Sequence, residues 1–134
     1  MKLRALPLAA VQPYALALLR IVAGYMFLLH GTSKVLHFPD TGHAAALNLA
    51  TLGGWSGILE LVGGALVLVG WFTRPAAFIV SGEMAFAYFI GHASHGNPLL
   101  PTVNRGELAA LYCFVFLFLA AAGAGAWSID GRRR

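Results

Sequence analysis

The chain has 134 residues, 59% of them hydrophobic and only 10% charged, with a formal net charge of +4. Soluble domains carry roughly 25% charged residues, so an ordinary soluble domain is excluded, and the length leaves room for one domain, 1–134. The basic residues form no patch interleaved with aromatics, which excludes a nucleic-acid interface; they sit at the ends of apolar runs, as in membrane proteins.

A membrane span needs about 20 largely apolar residues, within about 17–25. The lead-in carries Lys2 and Arg4, but Pro7, Gln12 and Pro13 interrupt the apolar run and Arg20 follows, so a cleaved signal peptide is not expected. The first expected span is 14–36, which contains Arg20, His30 and Lys34. An outer loop follows, in which 44–52 reads as a short surface helix. The second span is 54–72 and holds Glu60; Gly57, Gly63 and Gly64, with Gly53 just ahead, mark where helices approach closely.

Only Thr73, Arg74 and Pro75 separate this span from the third, 75–92, so a tight hairpin is expected. The third span holds Glu83. The loop 94–105, with Gly96, Pro98 and Pro101, reads as irregular. The fourth span is 106–127, with Glu107 at its entrance. The expected fold is an all-α, integral membrane four-helix up-down bundle.

Basic residues set the orientation. Lys2, Arg4, Arg74, Arg132, Arg133 and Arg134 fall on one side and Lys34 and Arg105 on the other, which places both termini in the cytoplasm. Trp55, Trp71 and Trp127 lie at span ends, as an aromatic belt requires.

A charged group inside a span costs about 2.5–3.5 kcal/mol at the membrane centre, and marks a functional candidate. At a rise of about 1.5 Å per residue, Arg20 and Glu83 both fall roughly 10 Å deep, which predicts an inner Arg20/Glu83 pair. That pair reads first as glue for the bundle. His30, Lys34, Glu60 and Glu107 form an expected outer layer, where a titratable histidine and carboxylates suit ligand binding or proton handling. No Glu-x-x-His motif follows Glu60, Glu83 or Glu107, and paired haem histidines such as His30 with His92 read as interface residues, so no metal is expected. The single cysteine, Cys113, has no C-x-x-C partner, which excludes a self-contained thiol relay.

Several blocks carry a family resemblance: Leu18-Leu19-Arg20-Ile21 through Gly24 to His30-Gly31 and Lys34; Gly53-Gly54-Trp55-Ser56-Gly57-Ile58-Leu59-Glu60-Leu61; and Gly70-Trp71-Phe72-Thr73-Arg74-Pro75-Ala76. Gly82-Glu83-Met84-Ala85, Asn104-Arg105-Gly106-Glu107-Leu108 and Trp127-Ser128-Ile129-Asp130 continue it. Over roughly 15–130 the chain resembles the DoxX family of small four-helix membrane proteins. That family is named for its similarity to the small membrane subunit of an archaeal thiosulfate:quinone oxidoreductase. The resemblance implies quinone-linked redox work, and since the sequence shows no cofactor motif, electrons are expected through a partner protein or a directly bound quinone. Any enzymatic role is then that of a membrane subunit in a quinone-linked oxidoreductase. A homo-oligomer is compatible with it. Two other readings use the same residues: a small permease or proton pathway, and a non-catalytic scaffold that anchors a soluble redox enzyme through the arginine tail.

Overall fold

The computed structural model describes residues 7–42 and 47–133. Among them there is no strand. In chain order the helices are α1 (Leu8–Leu36), α2 (Leu52–Val69), α3 (Thr73–Phe86), the short α4 (Pro101–Asn104), α5 (Glu107–Ala122) and the short α6 (Ile129–Arg132). A π-helical turn, Ala87–His92, and a 3₁₀ turn, Ala93–His95, prolong α3.

Among the described residues three helices are long and apolar enough to cross a membrane: Leu8–Leu36, Leu52–Val69 and Thr73–His95. Side chains such as Leu18, Phe78, Phe89, Leu111 and Phe114 are more than half exposed on the outside, which suits a lipid solvent and not water. At 16 residues α5 is shorter than the expected span 106–127. It stops at Ala122 because Gly123, Gly125 and Trp127 have φ of 94°, 70° and 50°, which no right-handed helix accommodates. At the other end of the chain α1 begins at Leu8 and runs through Pro13, earlier than expected. The α2–α3 turn is 70–72, with Gly70 at φ 70° ending α2, and Thr73 to Pro75 already form the first turn of α3.

α1 packs on α2, and α3 on α5, with α2 touching α3. A Cβ on Gly24 would meet Leu68 N at 2.7 Å, one on Gly64 would meet Leu28 N at 2.7 Å, and one on Gly31 would clash with the Leu61 backbone. Rising α1 numbers therefore meet falling α2 numbers, and the missing side chains allow backbone-to-backbone approach. Gly57 also faces α1, whereas Gly63 faces Val80 of α3; Gly53 packs against no other helix. The core lies between the helix pairs, where Phe27 meets Phe116 (centroids 4.8 Å apart) and Tyr112 (5.3 Å) above Val67, Val80 and Leu119.

The expected surface helix 44–52 falls partly outside the described residues; 48–50 form a turn and helix resumes only at Leu52. The loop expected to be irregular contains one helical turn, α4, begun by Pro101 in its first position. The segment after α5 returns to the start of α1: Ala126 N–H donates to Pro13 O at 2.9 Å, and Tyr14 packs on Trp127. Residue 7, the α2–α3 turn and α6 thus share one end of the molecule, with Arg74, Arg132 and Arg133; Lys34 and Arg105 lie at the other.

Candidate functional site

Two polar layers exist, but their membership differs from the sequence expectation. Arg20 does not pair with Glu83. It is fully buried, and its five N–H groups all go to backbone carbonyls: Val67 and Leu68 at the end of α2, and Ala124, Ala126 and Trp127 beyond α5, at 2.5–3.2 Å. The α2 carbonyls lie at a helix C-terminus, where cations are favoured; Val67 O also accepts from Gly70 N–H at 3.1 Å. Position along the helices explains the failed pairing. Arg20 is level with the last turn of α2, whereas Glu83 stands opposite Ser56, eleven residues (about 16 Å) back along that helix.

Glu83 instead joins Glu60. Lys34 Nζ lies 2.8 Å from each carboxylate oxygen of Glu60, which is 4% exposed at its side chain. The proton geometry serves Oε1; Oε2 is held by charge without a directed hydrogen bond. Lys34 also donates to Ser56 Oγ at 3.1 Å, and the Ser56 hydroxyl donates to Glu83 Oε1 at 2.7 Å. Glu60 Oε1 is 3.4 Å from Ser56 Oγ, a weaker approach for the same hydroxyl. Glu83 Oε2 is buried with no hydrogen-bond partner, as is Tyr112 Oη in the core nearby. Tyr112 lies within electrostatic reach of Glu60. The layer thus has two carboxylates, one ammonium and one hydroxyl, drawn from three helices.

This layer opens onto an apolar groove of about 510 Å³ between α2 and α3. Ser56 and Glu83 line it, with Trp55, Leu59, Ile79 and Phe86 as walls and His92 at the rim. Trp55 is therefore part of the groove as well as a belt residue. The π-helical turn Ala87–His92 forms one margin; such turns occur often at functional sites. His92 is oriented by Asn104 O, 3.2 Å from its Nδ1, and Asn104 in turn donates to Tyr88 Oη. Apolar walls with a few convergent polar groups suit a small lipophilic ligand.

The other expected members stand apart. His30 is exposed, with Nδ1 2.8 Å from Met26 O of its own helix and its ring edge-on to Tyr112 at 6.1 Å. Gly31 takes the α1 face that touches α2, so the neighbouring His30 is rotated about 100° away from Glu60. Glu107 is exposed at the start of α5 and accepts from Thr102 Oγ1 at 3.0 Å. Among the described residues no three His, Cys, Asp or Glu side chains gather as metal ligands. Ser56 and Tyr112 were missed from sequence. Ser56 was findable, since it precedes Glu60 by four residues and shares its helix face.

At the opposite end, Asp130 binds the α2–α3 turn. Its two oxygens accept from Phe72 N–H (3.0 Å) and Thr73 N–H (2.9 Å), while its own N–H donates to Gly70 O (2.9 Å). Burial pushes the Asp130 carboxyl up, but the Thr73 and Phe72 amides and the Arg133 charge outweigh it and hold it below the ordinary value.

The DoxX family model matches residues 15–93, which include the whole Lys34–Ser56–Glu60–Glu83 layer. An uncharacterized protein of Haemophilus influenzae is 49% identical over 125 residues, covering 90% of this chain and 92% of the relative. An uncharacterized membrane protein of Mycobacterium tuberculosis is 29% identical over 143 aligned positions, covering 93% of this chain and 85% of the relative. No solved structure matches. A family match across more than half the chain, on helices apolar enough to span a bilayer, makes this a membrane protein that belongs to the DoxX family.

Proposed function

We propose that this chain binds a quinone-type ligand in the α2–α3 groove and serves as the membrane subunit of a quinone-linked oxidoreductase, its electrons supplied by a partner protein. One observation carries the reading: a half-buried carboxylate, Glu83, whose Oε2 is buried without a hydrogen-bond partner, lining a groove with apolar walls. A flat apolar ring fits between Trp55, Leu59, Ile79 and Phe86, and its carbonyl or hydroxyl meets Ser56 and Glu83. Glu60 and Lys34 tune these two from behind. The proposed setting is the inner membrane, with the helices as a four-span up-down bundle and both termini cytoplasmic; the distribution of Arg74, Arg132 and Arg133 against Lys34 and Arg105 supports that orientation.

The test uses Trp55 as reporter. Decyl-ubiquinone titrated into the purified protein in mild detergent is expected to quench tryptophan fluorescence saturably, with Trp55→Phe removing most of the quenching. Glu83→Gln should weaken binding about tenfold or more, the scale of one lost charged hydrogen bond, with the helical melt unchanged. Equal affinity in the wild type and a folded Glu83→Gln would sink the site assignment. No saturable quenching in the wild type would sink the quinone reading.

A further inference from the structure

We propose that Lys34, Ser56 and Glu83 form a proton entry route from the aqueous edge of α1 to the floor of the groove, with Ser56 as its relay. The proposal rests on the groove reading only for what consumes the proton. Two hydrogen bonds stand in series, Lys34 Nζ–H to Ser56 Oγ at 3.1 Å and Ser56 O–H to Glu83 Oε1 at 2.7 Å, and both donate toward the groove.

Chemistry singles out Ser56. A hydroxyl donates and accepts at once, whereas an ionised carboxylate only accepts and an ammonium only donates. The transfer balances without electrons. The Ser56 O–H bond breaks as Glu83 Oε1–H forms; a Lys34 Nζ–H bond breaks as the Ser56 O–H is restored; Lys34, left neutral, takes a proton from hydronium, which leaves water. The Lys34 side chain is 43% exposed, two residues from the end of α1, while that of Glu60 behind it is 4% exposed, so Lys34 is the outer member of the route. Glu60 is the positioning residue. It holds Nζ at 2.8 Å and so keeps the ammonium within reach of Ser56.

Other charges act on Glu83 besides the route itself. Lys34 faces it from α1, and Ser56 and Glu60 from α2; His92 lies further along its own helical segment at the groove rim, and α5 contributes Tyr112 beside Glu60. Any of these moves the equilibrium position of the proton. A rate separates the relay from that background.

The experiment is a pH jump on the full chain in lipid nanodiscs without added ligand, following the carboxyl stretch by time-resolved infrared; the band absent in Glu83→Gln identifies Glu83. Ser56→Ala is expected to slow protonation of that band about a hundredfold or more, the low range of a lost proton-transfer group, and Ser56→Thr to restore it. Lys34→Met should slow it likewise. Wild-type kinetics in Ser56→Ala, or a Ser56→Thr as slow as Ser56→Ala, would overturn the relay, as would a Glu83 band that does not respond to pH. If Ser56→Ala fails to fold, Lys34→Met decides: slowed supports the route and unslowed overturns it. No quinone is present, so this result stands or falls apart from ligand binding.

Discussion

Lys34 and Glu60 form an ion pair with unequal partners: the ammonium is 43% exposed and the carboxylate 4% exposed at a separation of 2.8 Å. Removing the two members should therefore differ in cost. Lys34→Met strands a buried carboxylate with only the long Ser56 contact left, a loss near the low end of breaking a buried pair, about 3 kcal/mol. Glu60→Gln leaves an ammonium free to turn to water and an amide that still meets Ser56, so its cost should be about 1 kcal/mol. Denaturation of both variants in the same mild detergent gives the two numbers. Equal costs, or the reverse order, would mean that Glu60 is not held by Lys34.

Depth from the span ends put Lys34 and Glu60 in one outer layer of the sequence reading, but it set His30, not Lys34, level with Glu60, so the ion pair itself was not legible. The Arg20–Glu83 pair failed on the same arithmetic. Depth fixes level along a helix only when helix ends are known, and α1 starts at Leu8, well before the expected end at 14. Rotation was harder still. That His30 points away from Glu60 follows from Gly31 taking the contact with α2, which no count of residues from a span end reveals. The groove was illegible for a similar reason: it arises from the spacing of α2 and α3 and from the π-helical turn at Ala87–His92, neither of which has a sequence period. The apolar runs, by contrast, depend only on local composition, and the helices over them appeared with shifted ends.

Arg20 carries a second prediction. Its guanidinium supplies five donors to five carbonyls, of which Val67 O also accepts from Gly70 N–H, and a lysine offers at most three in a different geometry. Arg20→Lys keeps the charge and should still cost about 2–4 kcal/mol, since carbonyls of α2 and of 124–127 are left unpaired. The loss should be local as well as global, with faster protease cleavage within 123–127 in the folded variant. A lysine variant that melts with the wild type and resists the protease equally would show that charge, not the fork of donors, holds this segment.

Asp130 and the α2–α3 turn give the third, a dependence on pH. The folded carboxyl lies below its ordinary value because the Thr73 and Phe72 amides donate to it and Arg133 is near. A lowered carboxyl favours the folded form whenever it is ionised. Its contribution is therefore complete above the ordinary carboxylate range near ~4, and declines as pH falls through the folded value beneath it. Hydrogen exchange reads this directly. Protection factors of the Phe72 and Thr73 amides should stay constant from neutral pH down to the ordinary carboxylate range and fall only below it. In Asp130→Asn they should already be reduced at neutral pH, because the amide keeps one acceptor oxygen where the carboxylate has two. Amides equally protected in both proteins across this range would show that the turn is held by its own backbone, with Gly70 ending α2 and Asp130 merely adjacent.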